Sequence, residues 1–151
     1  MVESDAVVSA IHVAPATRLP TREVDAVEAE AGRGLVGDRY HGTKHRHVTV
    51  QSAEAIAEAA RALGRDIPLG LTRRNVTVTG LDVPTTPGVR WRVGGALLEV
   101  VRVAAPCKLL DDAIGPGAQE ALRRRAGTVF RVLESGTIRV GDPVRQDPSP
   151  R

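Results

Sequence analysis

The sequence predicts a mainly β domain, a small antiparallel β-barrel with two or three peripheral helices. Three observations carry that reading. The hydrophobic content of 42% comes from valine, alanine and leucine, because Trp91, Tyr40 and Phe130 are the only aromatic residues, and valine-rich runs favour strands. Apolar and polar residues alternate over short stretches bounded by turn residues. Gly94-Gly95 separates two apolar runs as a two-residue hairpin signal, arguing for antiparallel neighbours rather than repeated strand–helix–strand units.

Each element follows from the same signals. Val7 to Val13 is a first strand, and Val24 to Ala29 alternates apolar with charged residues as a half-buried second strand does. Val48 to Val50 continues the series. Ser52 is placed to cap a helix to Leu63, whose Ile56, Ala59, Ala60 and Leu63 share one face, with Gly64 ending it. Asn75 to Thr79 is a strand, and Val89 to Val93 and Ala96 to Val103 are the arms of the Gly94-Gly95 hairpin. A second helix is expected from Gly117 to Arg125, with Pro116 near its first turn and arginines near its end. Strands over Thr128 to Leu133, Thr137 to Val140 and Pro143 to Arg145 close the chain. The 151 residues suit one domain, over 6–146, between a flexible 1–5 and a disordered 147–151 tail.

Composition excludes several functions. A formal charge of +3 arises from 21 Lys and Arg interleaved with 18 acidic residues. With almost no aromatics to stack on bases, the chain is not expected to bind nucleic acid. A few arginines converging on one small anion need no large basic face. A single cysteine forms no intramolecular disulfide, and no apolar stretch is long enough for a signal segment or a membrane span. A reducing cytoplasm, with no membrane partner, is the expected setting.

Gly32-Arg33-Gly34-Leu35-Val36-Gly37 matches the letters of a dinucleotide fingerprint, but turn-like residues follow where a helix is required. His41, His45 and His47 crowd beside Asp38, a set from which a zinc site is imaginable. Arg39, Lys44 and Arg46 surround it with positive charge, so an anion-binding cluster is the better functional alternative to solvated loop histidines. No GxSxG elbow supports a serine hydrolase. Cys107 is the strongest candidate for chemistry. A lone cysteine is most often a buried small hydrophobe, yet this one follows Pro106 at the end of a strand, and Lys108 beside it favours the thiolate. A thiolate is a nucleophile, a soft metal ligand or a carrier of persulfide sulfur.

Four segments in order resemble the MOSC domain, named for the C-terminal part of molybdenum-cofactor sulfurases. Gly34-Leu35-Val36-Gly37-Asp38-Arg39-Tyr40-His41-Gly42 resembles the family's Gly-Asp loop. Arg73-Arg74-Asn75-Val76, followed by Gly80-Leu81-Asp82, resembles its Asn strand. Gly94 to Val100, then Pro106-Cys107, resembles the strand leading to the family's Pro-Cys, and Gly127 to Leu133 with Gly136 to Asp142 resemble its closing strands.

The resemblance implies a MOSC-type barrel, free-standing as in bacterial forms, whose cysteine serves molybdenum or sulfur chemistry. It implies molybdenum cofactor as the bound group, with Cys107 as metal ligand or sulfur-accepting thiol. Arg39, Arg73 and Arg74 are then candidates for the cofactor's phosphate, Lys108 is a further cofactor-binding candidate, and Asp38, His41 and Asn75 are candidates for orienting the pterin or moving protons. Larger relatives carry an additional N-terminal β domain for which this sequence has no room. The sulfurases carry a separate pyridoxal phosphate domain, so that cofactor is associated with the family and not expected to act here. Three functions compete: a molybdenum-dependent reductase of N-hydroxylated substrates served by a separate redox partner, a non-catalytic sulfur or cofactor carrier loaded by a cysteine desulfurase, and a small-anion-binding barrel with a structural cysteine.

Overall fold

The computed structural model of the chain describes residues 6–16, 19–106 and 108–148. Its strands are β1 (Val7–Val13), β2 (Arg22–Val24), β3 (Ala26–Glu30), β4 (Gly34–Leu35), β5 (Val48–Ser52), β6 (Val76–Thr79), β7 (Arg90–Val93), β8 (Ala96–Val103), β9 (Thr128–Glu134), β10 (Gly136–Arg139) and β11 (Val144–Asp147). The helices are α1 (Ala53–Leu63), α2 (Leu109–Ala113) and α3 (Ala118–Ala121), with a 3-10 turn over Leu69–Thr72. Eight strands form one sheet in the order β11-β7-β8-β9-β5-β6-β1-β2, and β10-β3-β4 form a second.

The expected wholly antiparallel pairing is corrected: the large sheet is mixed. Strands β5 and β6 are parallel, Val50 opposite Val76 and Ser52 opposite Val78, because α1 lies between them in sequence and a helix lets the chain cross back to start the next strand in the same direction. Among the described residues no continuous ladder closes the sheet, and β2 and β11 are its outer strands. Backbone bonds from Val8 N–H to Asp142 O (2.9 Å) and from Val144 N–H to Ala6 O (3.0 Å) nevertheless tether β1 to the start of β11.

Period-two alternation divides the two faces of the central strands. Val48 and Val50 of β5, Val76 and Val78 of β6, and Ile11 and Val13 of β1 enter the main core with Leu35, Trp91, Leu98, Phe130 and Ile138. The Trp91 and Phe130 rings meet there with centroids 5.7 Å apart. On the intervening positions lie His12, Thr49, Gln51, Asn75 and Thr77, all buried. The sheet therefore carries an apolar face and, on its middle strands, a buried polar face.

Helix α1 begins as expected: Ser52 Oγ accepts the Ala55 N–H at 3.1 Å, and Gly64 ends it at φ 78°, a left-handed conformation that glycine adopts without strain. Its Ile56 and Ala59 join Ile67, Leu110, Ala118, Leu122 and Ala126 in a second apolar cluster. The helix expected over Gly117 to Arg125 contracts to α3, because the chain turns at Arg124, whose φ is 64°. Helix α2 was not anticipated. The strand expected from Val24 to Ala29 breaks at Asp25, since Val24 pairs with β1 and Ala26 with β10 in the other sheet. At Gly127 a Cβ would lie 2.1 Å from Val50 O, so only glycine lets β9 start this close to β5. Among the described residues no helix is long and apolar enough to cross a membrane. The terminal stretches 1–5 and 149–151 lie outside the described residues, and Asp147 ends β11.

Candidate functional site

The polar face of the sheet meets the loop after β4 at Asp38. Its carboxylate is buried, with a side chain 0% exposed. Oδ1 accepts the Ala14 N–H at 3.0 Å and Asn75 Nδ2 at 3.2 Å, and Oδ2 accepts the Tyr40 N–H at 3.3 Å. Asn75 completes the joint from the other side. Its Oδ1 accepts the Thr49 N–H at 3.0 Å and Thr49 Oγ1 at 3.1 Å, while Nδ2 also donates to His12 O at 3.1 Å. One amide thus holds β1, β5 and the Gly-Asp loop in register.

That joint sets Arg39. Its backbone N–H donates to Ala14 O at 2.7 Å, and its side chain is only 6% exposed, with Nη1 3.7 Å from Asp38 Oδ1. Among the described residues Nη1 has no hydrogen-bond partner, and neither has the buried Nε of Arg46. Both guanidiniums stack on Tyr40, at 4.5 Å and 4.4 Å from the ring centroid. Two cations gathered on one ring, with one nearby carboxylate already accepting three N–H groups, leave positive charge and buried donors unmatched. An unmatched buried donor is costly, and an oxyanion is the ligand that answers both.

The remaining candidates are engaged differently. Arg74, buried, donates from Nε to Ala126 O at 2.7 Å and from Nη2 to Ala105 O at 3.1 Å. It therefore grips the segment that leads into Pro106 and Cys107. Arg73 caps the 3-10 turn at φ 62° and donates from Nη1 to Leu19 O at 2.7 Å. His41 stays on the loop through its N–H to Asp38 O (3.0 Å), but its Nε2 pairs with Glu30 Oε1. Lys108 is exposed at the start of α2. Cys107 lies outside the described residues. Asp38, Arg39 and Asn75 are thus brought together, with Arg74 beside them in sequence, whereas the side chains of His41, Arg73 and Lys108 turn to other partners or to solvent.

Two histidines belong to the framework. His47 is buried, its Nδ1 accepting the Val132 N–H at 3.0 Å and its Nε2 facing Thr43 O at 2.7 Å. Those partners place the proton on Nε2. Burial lowers its pKa, opposed by the Thr43 bond and aided by the nearby charges of Arg131, His45 and His41. His12 is buried beside Gly70, and its Nδ1 has no partner among the described residues. Burial lowers its pKa too, with Glu23 pulling the other way. Among the described residues no group of three or more His, Cys, Asp or Glu is placed to hold a metal ion. Sequence reasoning missed His12 and Thr49, and it placed Arg46 only among the cations of a candidate anion-binding cluster and Tyr40 only within the Gly-Asp loop. A histidine inside an apolar strand was the available signal for the first; nothing in the sequence distinguished Arg46 from the other cations of its loop.

Comparison with known proteins places these residues in context. The MOSC domain model matches residues 37–145. The fold is similar to the crystal structure of the YuaD protein from Bacillus subtilis, at TM-score 0.80 and 22% identity, over 92% of this chain and 93% of that one. It is also similar to YiiM from Geobacillus stearothermophilus (0.74, 21% identity, 95% and 75% of the two chains) and to YiiM from Escherichia coli (0.68, 18% identity, 95% and 69%). No curated protein matches the sequence.

Proposed function

The chain belongs to the MOSC domain family, and from that premise we propose that it is a molybdenum-cofactor-binding oxidoreductase domain that reduces N-hydroxylated substrates with electrons from a separate partner. The supporting observation is Arg39: a guanidinium whose side chain is 6% exposed, held by the Asp38–Asn75 joint, with a donor that no described residue satisfies. The pterin of the molybdenum cofactor ends in a phosphate, and a buried unmatched guanidinium suits such a group. We assign the phosphate to Arg39, with Arg46 across the Tyr40 ring, and metal ligation to Cys107.

When bound, the cofactor supplies a centre for two-electron reduction of an N–OH group to N–H with loss of water. The protein's own contribution is to hold and orient. Asp38 fixes the Gly-Asp loop, Asn75 ties that loop to β1 and β5, and Arg74 fixes the backbone ahead of Cys107. Substrate class and electron donor follow from the family resemblance, and the Arg39 geometry supports the anionic end of the cofactor.

Metal analysis after expression in a cofactor-competent host tests the reading. Molybdenum is expected to co-purify with wild type, to fall several-fold in Arg39→Ala and to be lost in Cys107→Ser. Wild-type protein free of molybdenum, and inactive on hydroxylamines with redox partners supplied, overturns it. Molybdenum bound without turnover points to the carrier function instead, checked by mass spectrometry for a sulfur adduct on Cys107 after exposure to a cysteine desulfurase.

A further inference from the structure

Strand β8 runs out at Val103, half of whose surface is exposed. Beside it lies a cavity of about 550 Å³ between Val103, Ala104 and Pro106 on one side and the turn after α3 on the other. That volume suits a small molecule. Asp111, Glu120, Arg123 and Arg124 supply charge to its walls. Three of the four are engaged: Asp111 Oδ1 accepts the Gln119 N–H at 2.8 Å, and Glu120 pairs with Arg123 at 3.6 Å. Arg124 is exposed and has no hydrogen bond or ion pair among the described residues.

Arg124 is also strained. It and Arg73 are the non-glycine residues with positive φ among those described, at 64° and 62°. Arg73 has a local reason, since it caps the 3-10 turn and its guanidinium is bonded to Leu19 O. Arg124 has none. The turn needs a left-handed residue there, glycine supplies that conformation without strain, and the chain carries a guanidinium instead. This side chain also lines the two neighbouring cavities, of about 580 Å³ and about 410 Å³. It stands where the three meet.

We propose that this junction binds a small organic anion, its apolar body on Val103, Ala104 and Pro106 and its carboxylate or phosphate received by the forked donors of Arg124. The site shares no lining residue with the Arg39–Arg46 cluster and does not rest on the cofactor reading. It gives the protein a second recognition element for anions, next in the chain to Pro106.

Titration of 15N-labelled full-length protein with phenyl phosphate, followed by amide chemical shifts, tests the proposal, with benzyl alcohol as the uncharged control. In wild type the shifts are expected to gather at Ala104, Gln119 and Arg124, with benzyl alcohol binding at least ten-fold more weakly. Arg124→Lys should weaken phenyl phosphate several-fold and Arg124→Gly more than ten-fold. Arg124→Gly should also raise the thermal midpoint, because glycine relieves the backbone. Binding unchanged in Arg124→Gly, equal binding of the alcohol, or a lower midpoint in Arg124→Gly, which would show the guanidinium to be engaged in folding, each overturns the proposal. The variants leave Arg39 and Cys107 intact and binding is read at Ala104, Gln119 and Arg124, apart from any phosphate held at Arg39, so failure here leaves the cofactor reading standing.

Discussion

Asn75 Nδ2 donates to Asp38 Oδ1 at 3.2 Å, a buried hydrogen bond between residues 37 positions apart. Around it the Asn75 amide and carbonyl reach Thr49 and His12, so one side chain joins two strands and a loop that would otherwise meet only through backbone. The joint is the reason Arg39, one residue beyond Asp38, is carried into the protein with its guanidinium nearly closed off from solvent.

Removing that amide should be expensive. Asn75→Ala strips the Thr49 N–H of one acceptor and leaves His12 O and Asp38 Oδ1 each one donor short, in a region with little access for water. Stranded buried groups of this kind cost about 1–3 kcal/mol each, and partial relaxation brings the expected total to about 3 kcal/mol. Urea denaturation of wild type and variant measures it. A loss below about 0.5 kcal/mol would show that water replaces the amide and that the joint is not structural.

Much of this was legible in sequence and some was not. The helix from Ser52 to Gly64 and the Gly94-Gly95 hairpin are local events, and their capping and turn residues announce them. Asp38, Arg39 and Asn75 were marked by their motifs. Long-range pairing was not legible: nothing in the run from Val48 to Ser52 tells whether its neighbour is parallel, and the break at Asp25 exists because two sheets compete for one stretch of chain. The redirection of Arg73 and Arg74 to backbone carbonyls was hidden for the same reason, since Leu19, Ala105 and Ala126 are brought to them only by the fold.

The two buried histidines give stability a pH dependence. Burial lowers the pKa of both His47 and His12 below the ordinary 6.5. Below that value the unfolded chain binds protons that the folded protein refuses, so the stabilisation is full above about pH 6.5 and is lost as pH falls through the lowered folded values. For His47 the geometry says why: a proton on Nδ1 would face the Val132 N–H that this atom now accepts. Thermal midpoints measured between about pH 7.5 and about pH 5 should decline in wild type and decline less in His47→Asn, whose Oδ1, like Nδ1 attached to Cγ, can still accept that N–H. Parallel profiles in the two proteins would remove His47 from the explanation.

Glu99 offers the opposite linkage, away from the candidate site. It lies across the strands from Arg90 and Arg131, accepting from Arg90 Nε at 3.0 Å and from Arg131 Nε at 2.8 Å. Burial alone would raise its pKa, but the Arg131 and Arg90 bonds outweigh that and hold it below the ordinary 4.5. Its contribution is therefore present above about pH 4.5 and lost as pH falls through the folded value. Because the two arginine side chains are 25% and 44% exposed, solvent screens part of the attraction, and Glu99→Gln should cost only about 1–2 kcal/mol at neutral pH. The gap between variant and wild type should narrow as pH falls below about 4.5 and through the lowered folded value, where the wild-type carboxyl itself takes up a proton. A gap independent of pH would show that shape rather than charge is what Glu99 provides.

Arg74 tests how the fold serves the thiol. Its bonds to Ala105 O and Ala126 O tie the end of β8 to the start of β9, and only Pro106 separates Ala105 from Cys107, a reach of at most about 7 Å. Lysine, with one compact ammonium, does not reproduce the forked donors that reach both carbonyls. Arg74→Lys should lower stability by about 1–2 kcal/mol and, in fully folded protein, change the rate at which iodoacetamide alkylates Cys107 by several-fold. The second measurement separates positioning from stability, because a general loosening does not alter thiol reactivity under strongly native conditions. An unchanged alkylation rate alongside reduced stability would confine Arg74 to the framework and leave the Pro106–Cys107 segment to be set by other contacts.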